Sequence, residues 1–107
     1  MSDKVTDATF DAEVLSAEGP VIVKFTAPWC RPCRHIQPIL EAIVGENPRV
    51  RLVELDIDDN LAVPSRYGVL SIPTTIVFRE GEPRATVIGA QPRRRFDEAF
   101  APYVGAS

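Results

Sequence analysis

The chain has 107 residues, 45% of them hydrophobic and 25% charged, an ordinary globular composition that excludes an intrinsically disordered or membrane-embedded class. Its formal net charge of −3 offers no general attraction to nucleic acid or anionic lipid, and no apolar run approaches the ~20 residues of a membrane span. The length fits one domain over residues 1–107 with a single core.

In chain order, Met1 to Val5 lacks the apolar stretch of a secretory signal, so the expected location is cytoplasmic. Thr6 or Asp7 then caps a short amphipathic helix over residues 7–16, with Phe10, Val14 and Leu15 at helical spacing and Gly19-Pro20 ending it. Val21 to Phe25 is a β-branched and aromatic run bounded by prolines, the pattern of a buried central strand with one charge, Lys24, inside it. After Pro32, the series Ile36, Ile39, Leu40, Ile43 and Val44 marks one face of a helix that ends between Gly45 and Pro48 and is expected to kink at Pro38.

A second strand covers Val50 to Ile57, and Asp58-Asp59-Asn60 is expected to cap a short, Pro64-interrupted helix closed by Gly68. Thr74 to Phe78 forms a third strand, which Glu80-Gly81 turns into a fourth over Arg84 to Ile88. Pro92 opens a last helix with Phe96, Phe100, Tyr103 and Val104 on its inner face. This order predicts an α/β fold with a mixed central sheet of four to five strands and helices on both faces.

The chemistry concentrates at Trp29-Cys30-Arg31-Pro32-Cys33. Two cysteines three apart at the start of a helix lie within one turn, near enough for their sulfurs to bond without backbone movement. Cys30, at the helix N-terminus, faces unpaired amides and the positive end of the helix dipole, which stabilise its thiolate. Cys33 lies deeper and is placed to attack a mixed disulfide formed by Cys30. Cys30 is therefore the expected nucleophile and Cys33 the resolving residue. A purely structural bridge is a weaker reading, because so short a loop stabilises by only about 2 kcal/mol against about 3 for a loop of fifteen residues. Structural zinc is weaker still: it needs four ligands, and the chain has two Cys and one His. No metal site is expected.

Trp29-Cys30-Arg31-Pro32-Cys33, followed by Ile72-Pro73-Thr74 and then Gly89, resembles the thioredoxin family, with Phe25, Ala27, Pro38, Tyr67 and Gly68 at matching places and the likeness running from about Phe10 to Val104. The resemblance implies the thioredoxin fold and a monomeric cytoplasmic protein-disulfide reductase without a cofactor of its own. It further implies reducing equivalents from NADPH through a thioredoxin reductase, and disulfide-containing client proteins as partners. By the same resemblance Pro73 is similar to the family's cis-proline facing the cysteines, and the Ile72 backbone would pair with an extended client segment. Trp29, Arg31, Pro32, Gly89 and Ala90 would complete the docking surface around Cys30; core packing is the alternative for Trp29.

Three features depart from the family pattern. Arg31 stands where glycine is usual, and at about 7 Å its charge would favour the Cys30 thiolate by roughly 0.6 to 1.2 kcal/mol, a shift toward a slightly more oxidising potential. Lys24 and Glu54 invert the family's buried Asp and its Lys partner; both interrupt apolar runs and are expected to pair across adjacent strands. Glu54 is then the carboxylate left to take the Cys33 proton, with Lys24 supporting the Cys33 thiolate, and a purely structural pair with Lys24 reaching to solvent is the alternative. Only Val5 separates Lys4 from Thr6, so the first edge strand is expected to be vestigial or missing.

His35 and Arg93-Arg94-Arg95 read as solvated surface. Rival functions are a more oxidising disulfide oxidase or isomerase, and a non-catalytic binding module with incidental cysteines.

Overall fold

The computed structural model describes residues 3–105. Strands β1 (Asp3–Val5), β2 (Val21–Thr26), β3 (Arg51–Asp56), β4 (Thr74–Arg79) and β5 (Glu82–Ile88) form one sheet in the order β1-β3-β2-β4-β5. β1 and β2 run parallel to β3, whereas β4 is antiparallel to both β2 and β5. The sheet is thus mixed and five-stranded, as the pattern of elements predicts.

Every residue of β2 is buried, because helical segments cover the sheet on both sides. Alternation along the strands sorts the core into two layers. Val21, Val23 and Phe25 join Val53, Leu55, Ile76 and Phe78 under Phe10, Val14 and Val63 on one face. Ile22, Leu52, Val77 and Val87 meet α1 (Arg31–Glu46) and α3 (Arg93–Val104) on the other, through Ile36, Leu40, Ile43, Phe96, Phe100 and Val104. The helical face read from the Ile36 series is the face that α1 buries, and α1 continues unbroken through Pro38.

The first edge strand is vestigial, as one of the two expected alternatives had it, and not missing: Asp3, Lys4 and Val5 pair with Val53, Glu54 and Leu55. Short edge strands are common, and pairing with β3 suffices to order this one. Three other local expectations need adjustment. The segment expected as an α-helix over residues 7–16 instead contains a π-helical turn, Asp11–Leu15, in which Ser16 N–H donates to the Asp11 carbonyl at 3.0 Å. Thr6 does act as a cap, accepting from Thr9 N–H at 3.2 Å.

The cap of α2 (Ala62–Arg66) is not Asp58, Asp59 or Asn60 but Asp7, whose carboxylate accepts from the amides of Ala62 at 3.0 Å and Val63 at 2.9 Å. Asn60 ties the two segments together, accepting from Asp7 N–H and donating to the Asp56 carbonyl. The fourth predicted strand begins two residues early and carries a register shift opposite Val77 and Phe78. Its hairpin turns on Glu80 and Gly81, both at positive φ (56° and 79°), the backbone that a two-residue hairpin with matched twist requires.

Candidate active site

The site forms where β2 ends and α1 begins. Cys30 is the N-cap of α1, and its sulfur accepts from the Cys33 amide at 3.2 Å. Amides in the first turn of a helix have no intrahelical acceptor, so this contact satisfies one of them and directs positive charge at the sulfur. Pro32 occupies the first turn, where its missing N–H removes no bond.

Cys30 and Cys33 are joined in a disulfide with their Cα atoms 5.4 Å apart. Cys30 is 3% exposed and Cys33 1%, and both line a cleft of about 990 Å³. Ala27, Ile57 and Ile72 pack around them. The geometry permits reversible bond making and breaking at a covered but reachable pair of sulfurs.

The loop before β4 approaches the disulfide through Ile72. The Ile72–Pro73 peptide bond is cis, Pro73 is buried, and its carbonyl accepts from Gly89 N–H at 2.8 Å. Gly89 has φ 91°, a conformation that side-chain-bearing residues rarely adopt, so glycine is suited to hold this strand end against Pro73. Ala90 next to it is exposed, as are Arg31 and Pro32 across the site. Trp29 is 66% exposed, which removes the core-packing alternative, and its indole N–H donates to Asp58 at 2.9 Å.

Lys24 is buried and does not reach out to solvent. It stands in register with Glu54 on β3, with Nζ 4.0 Å from Glu54 Oε1, and also donates to Gln37 Oε1 of α1. Burial pulls the Lys24 pKa below the ordinary lysine value, while the carboxylates of Glu54 and Glu41 act in the opposite direction. Lys24, Glu54, Gln37 and Cys33 all line the cleft beside the disulfide. Sequence reasoning overlooked Gln37 and Asp58; the one available sign for Gln37 was its position four residues after Cys33, on the same helix face.

His35 is exposed, and Arg93 bridges Glu46 and Asp97 instead of forming part of any site. Among the described residues, no cluster of three or more His, Cys, Asp or Glu side chains is arranged to hold a metal, and no helix is long and apolar enough to cross a membrane.

Comparison with known proteins agrees with this geometry. The family model described as Thioredoxin matches residues 2–101. A thioredoxin of Streptomyces clavuligerus is 51% identical over 89 residues, covering 83% of both chains. Thioredoxins of Porphyra purpurea and Listeria monocytogenes are each 41% identical; the first covers 94% of this chain and 95% of its own length, the second 97% and 100%. With a five-stranded mixed sheet, a disulfide at the mouth of α1 and this similarity along nearly its whole length, the chain belongs to the thioredoxin family of thiol–disulfide oxidoreductases.

Proposed function

We propose that the protein reduces disulfides of client proteins in the cytoplasm as a monomer, taking reducing equivalents from NADPH through a thioredoxin reductase. The observation that carries this reading is the Cys30–Cys33 disulfide at the N-terminus of α1, beside an open cleft. In the reduced protein the Cys30 thiolate, supported by the Cys33 amide and the helix dipole, attacks one sulfur of a client disulfide and expels the other as a thiolate. Cys33 then attacks the Cys30 sulfur, re-forming the internal disulfide and freeing the client's second sulfur.

Trp29, Arg31, Pro32, Ile72, Pro73, Gly89 and Ala90 form the client-docking surface in this reading, with the Ile72 backbone offered to an extended segment. The exposure of Trp29 and of Ile88 beside Gly89 supports it, since large apolar side chains in contact with solvent mark interaction surfaces. Lys24 and Glu54 are the charged pair that manages the Cys33 proton.

Reduction of insulin disulfides, first with dithiothreitol and then with NADPH and a thioredoxin reductase, tests the chemistry and the electron source separately. Cys30→Ser is expected to abolish turnover, and Cys33→Ser to accumulate a mixed disulfide on Cys30. Full turnover by either variant would overturn the assignment.

A further inference from the structure

One rung of the sheet is polar across four strands. Lys4 on β1, Glu54 on β3, Lys24 on β2 and Thr75 on β4 stand in register, and residues so paired share a face. Both lysines of the chain are on this rung, with Glu54 between them. Thr75 is fully buried, and its Oγ1 has no hydrogen-bond partner among the described residues.

α1 closes over this rung through Gln37. Its carbonyl oxygen accepts from Lys24 Nζ, and its amide nitrogen donates to Glu41 at 3.0 Å. Gln37 follows Cys33 by four residues, the spacing that places two side chains one above the other on a helix. The contact therefore ties Lys24 to the helix face that carries Cys33, and Lys24, Gln37 and Cys33 line the same cleft. The Glu54 side chain, 25% exposed, opens from the same place to solvent.

We propose that Gln37 is the positioning residue of a proton relay that runs from the Cys33 thiol to the Lys24 amine and leaves through Glu54. This rests on the reading of Cys33 as the resolving cysteine. Lys24, as a free amine whose proton has passed through Glu54 to water, takes the proton of the Cys33 thiol and becomes an ammonium. The Cys33 thiolate attacks the Cys30 sulfur; the Cys30–client bond breaks, the client sulfur departs with the electron pair, and it takes a proton from solvent. The ammonium that remains is balanced by the Glu54 carboxylate, whose Oε1 lies 4.0 Å from Lys24 Nζ in the cleft that the disulfide also lines. Burial favours the amine form of Lys24. Among the described residues, the other charged groups facing the cleft are Lys4 of β1, Asp56 of β3, Arg34 and Glu41 of α1, and Asp59 of the following loop.

The test follows the resolving step alone. The full chain is loaded at Cys30 with 5-thio-2-nitrobenzoate as a mixed disulfide, and release of the coloured thiolate by Cys33 is followed as a function of pH. Lys24→Met is expected to slow release near neutrality by about a hundredfold and Gln37→Leu by about tenfold, both moving the rise of the profile to higher pH. Gln37→Glu, which retains an acceptor for Lys24, is expected to restore most of the rate. Wild-type rates and profiles in Lys24→Met and Gln37→Leu would overturn the relay.

A second measurement needs no variant. With only two lysines, NMR titration of their side chains resolves Lys24 from Lys4, and the Lys24 curve is expected to differ between the oxidised and reduced protein. Identical curves would overturn the relay as well. Loss of the underlying reading looks different: Cys33→Ser would release the thiolate at the wild-type rate.

Discussion

Along β2, Ile22 and Lys24 point to the same face of the sheet, about 7 Å apart, yet their surroundings are opposite in kind. Ile22 lies between Leu52 on β3 and Val77 on β4, with Ala85 beyond, in the layer closed by α1 and α3. Lys24 lies between Glu54 and Thr75, beside the first turns of α1 and the disulfide. The apolar rung gains stability from burial and carries no reactive group. The polar rung gives up part of that gain and brings charge to the sulfurs. The two are separated by a single residue of the alternating strand, so structural and chemical tasks are divided within one layer of the core.

The comparison can be broken most sharply by Ile22→Ala. This is expected to cost about 2 to 5 kcal/mol by chemical denaturation, with the remaining folded protein still reducing disulfides. A large loss of stability with equal loss of specific activity would show that the rungs are not separable. Next in size is a control on the opposite face, where Asp7 caps α2. Asp7→Ala is expected to cost about 1 kcal/mol at neutral pH. Its hydrogen bond from Val63 N–H holds the Asp7 pKa below 3.8, so the carboxylate stabilises the fold above that pH and the contribution is lost as pH falls through the lowered value. The gap between wild type and variant should therefore close in acid.

Lys24→Met is expected to do the reverse of Ile22→Ala, raising stability near neutral pH because it removes a desolvated ammonium while the partly exposed Glu54 keeps its access to water, and at the same time impairing the resolving step. The folded pKa of Lys24 lies below the ordinary 10.5, so folding disfavours its ammonium; the variant's advantage shrinks as pH rises from the lowered value toward 10.5. Thermal unfolding across that range checks the sign, and a destabilised variant at neutral pH would contradict it. The smallest effect belongs to Arg31, exposed on the first turn of α1 and outside both rungs. Arg31→Gly is expected to make the redox potential more reducing by about 10 to 30 mV, measured against glutathione, with stability almost unchanged.

Much of this was legible in the chain because it depends on near neighbours. The Ile36 series could bury only one helical face, the alternation of β2 and β3 prescribed two core layers, and Cys30 and Cys33 are too close in sequence to lie far apart at a helix start. Even the unusual pair was visible, since Lys24 and Glu54 each interrupt an apolar run. What escaped was set by contacts between distant segments. Asp7 caps a helix 55 residues away, displacing the local candidates Asp58, Asp59 and Asn60, and no local pattern contains that bond. Three residues of β1 become a strand only because β3 offers an edge. Gln37 is an unremarkable helical residue until packing of α1 on the sheet brings Lys24 to it. Local periodicity thus determined the elements, their buried faces and the reactive disulfide. Tertiary packing alone decided which polar groups meet, because a buried charge takes the partner that the assembled layers bring within reach.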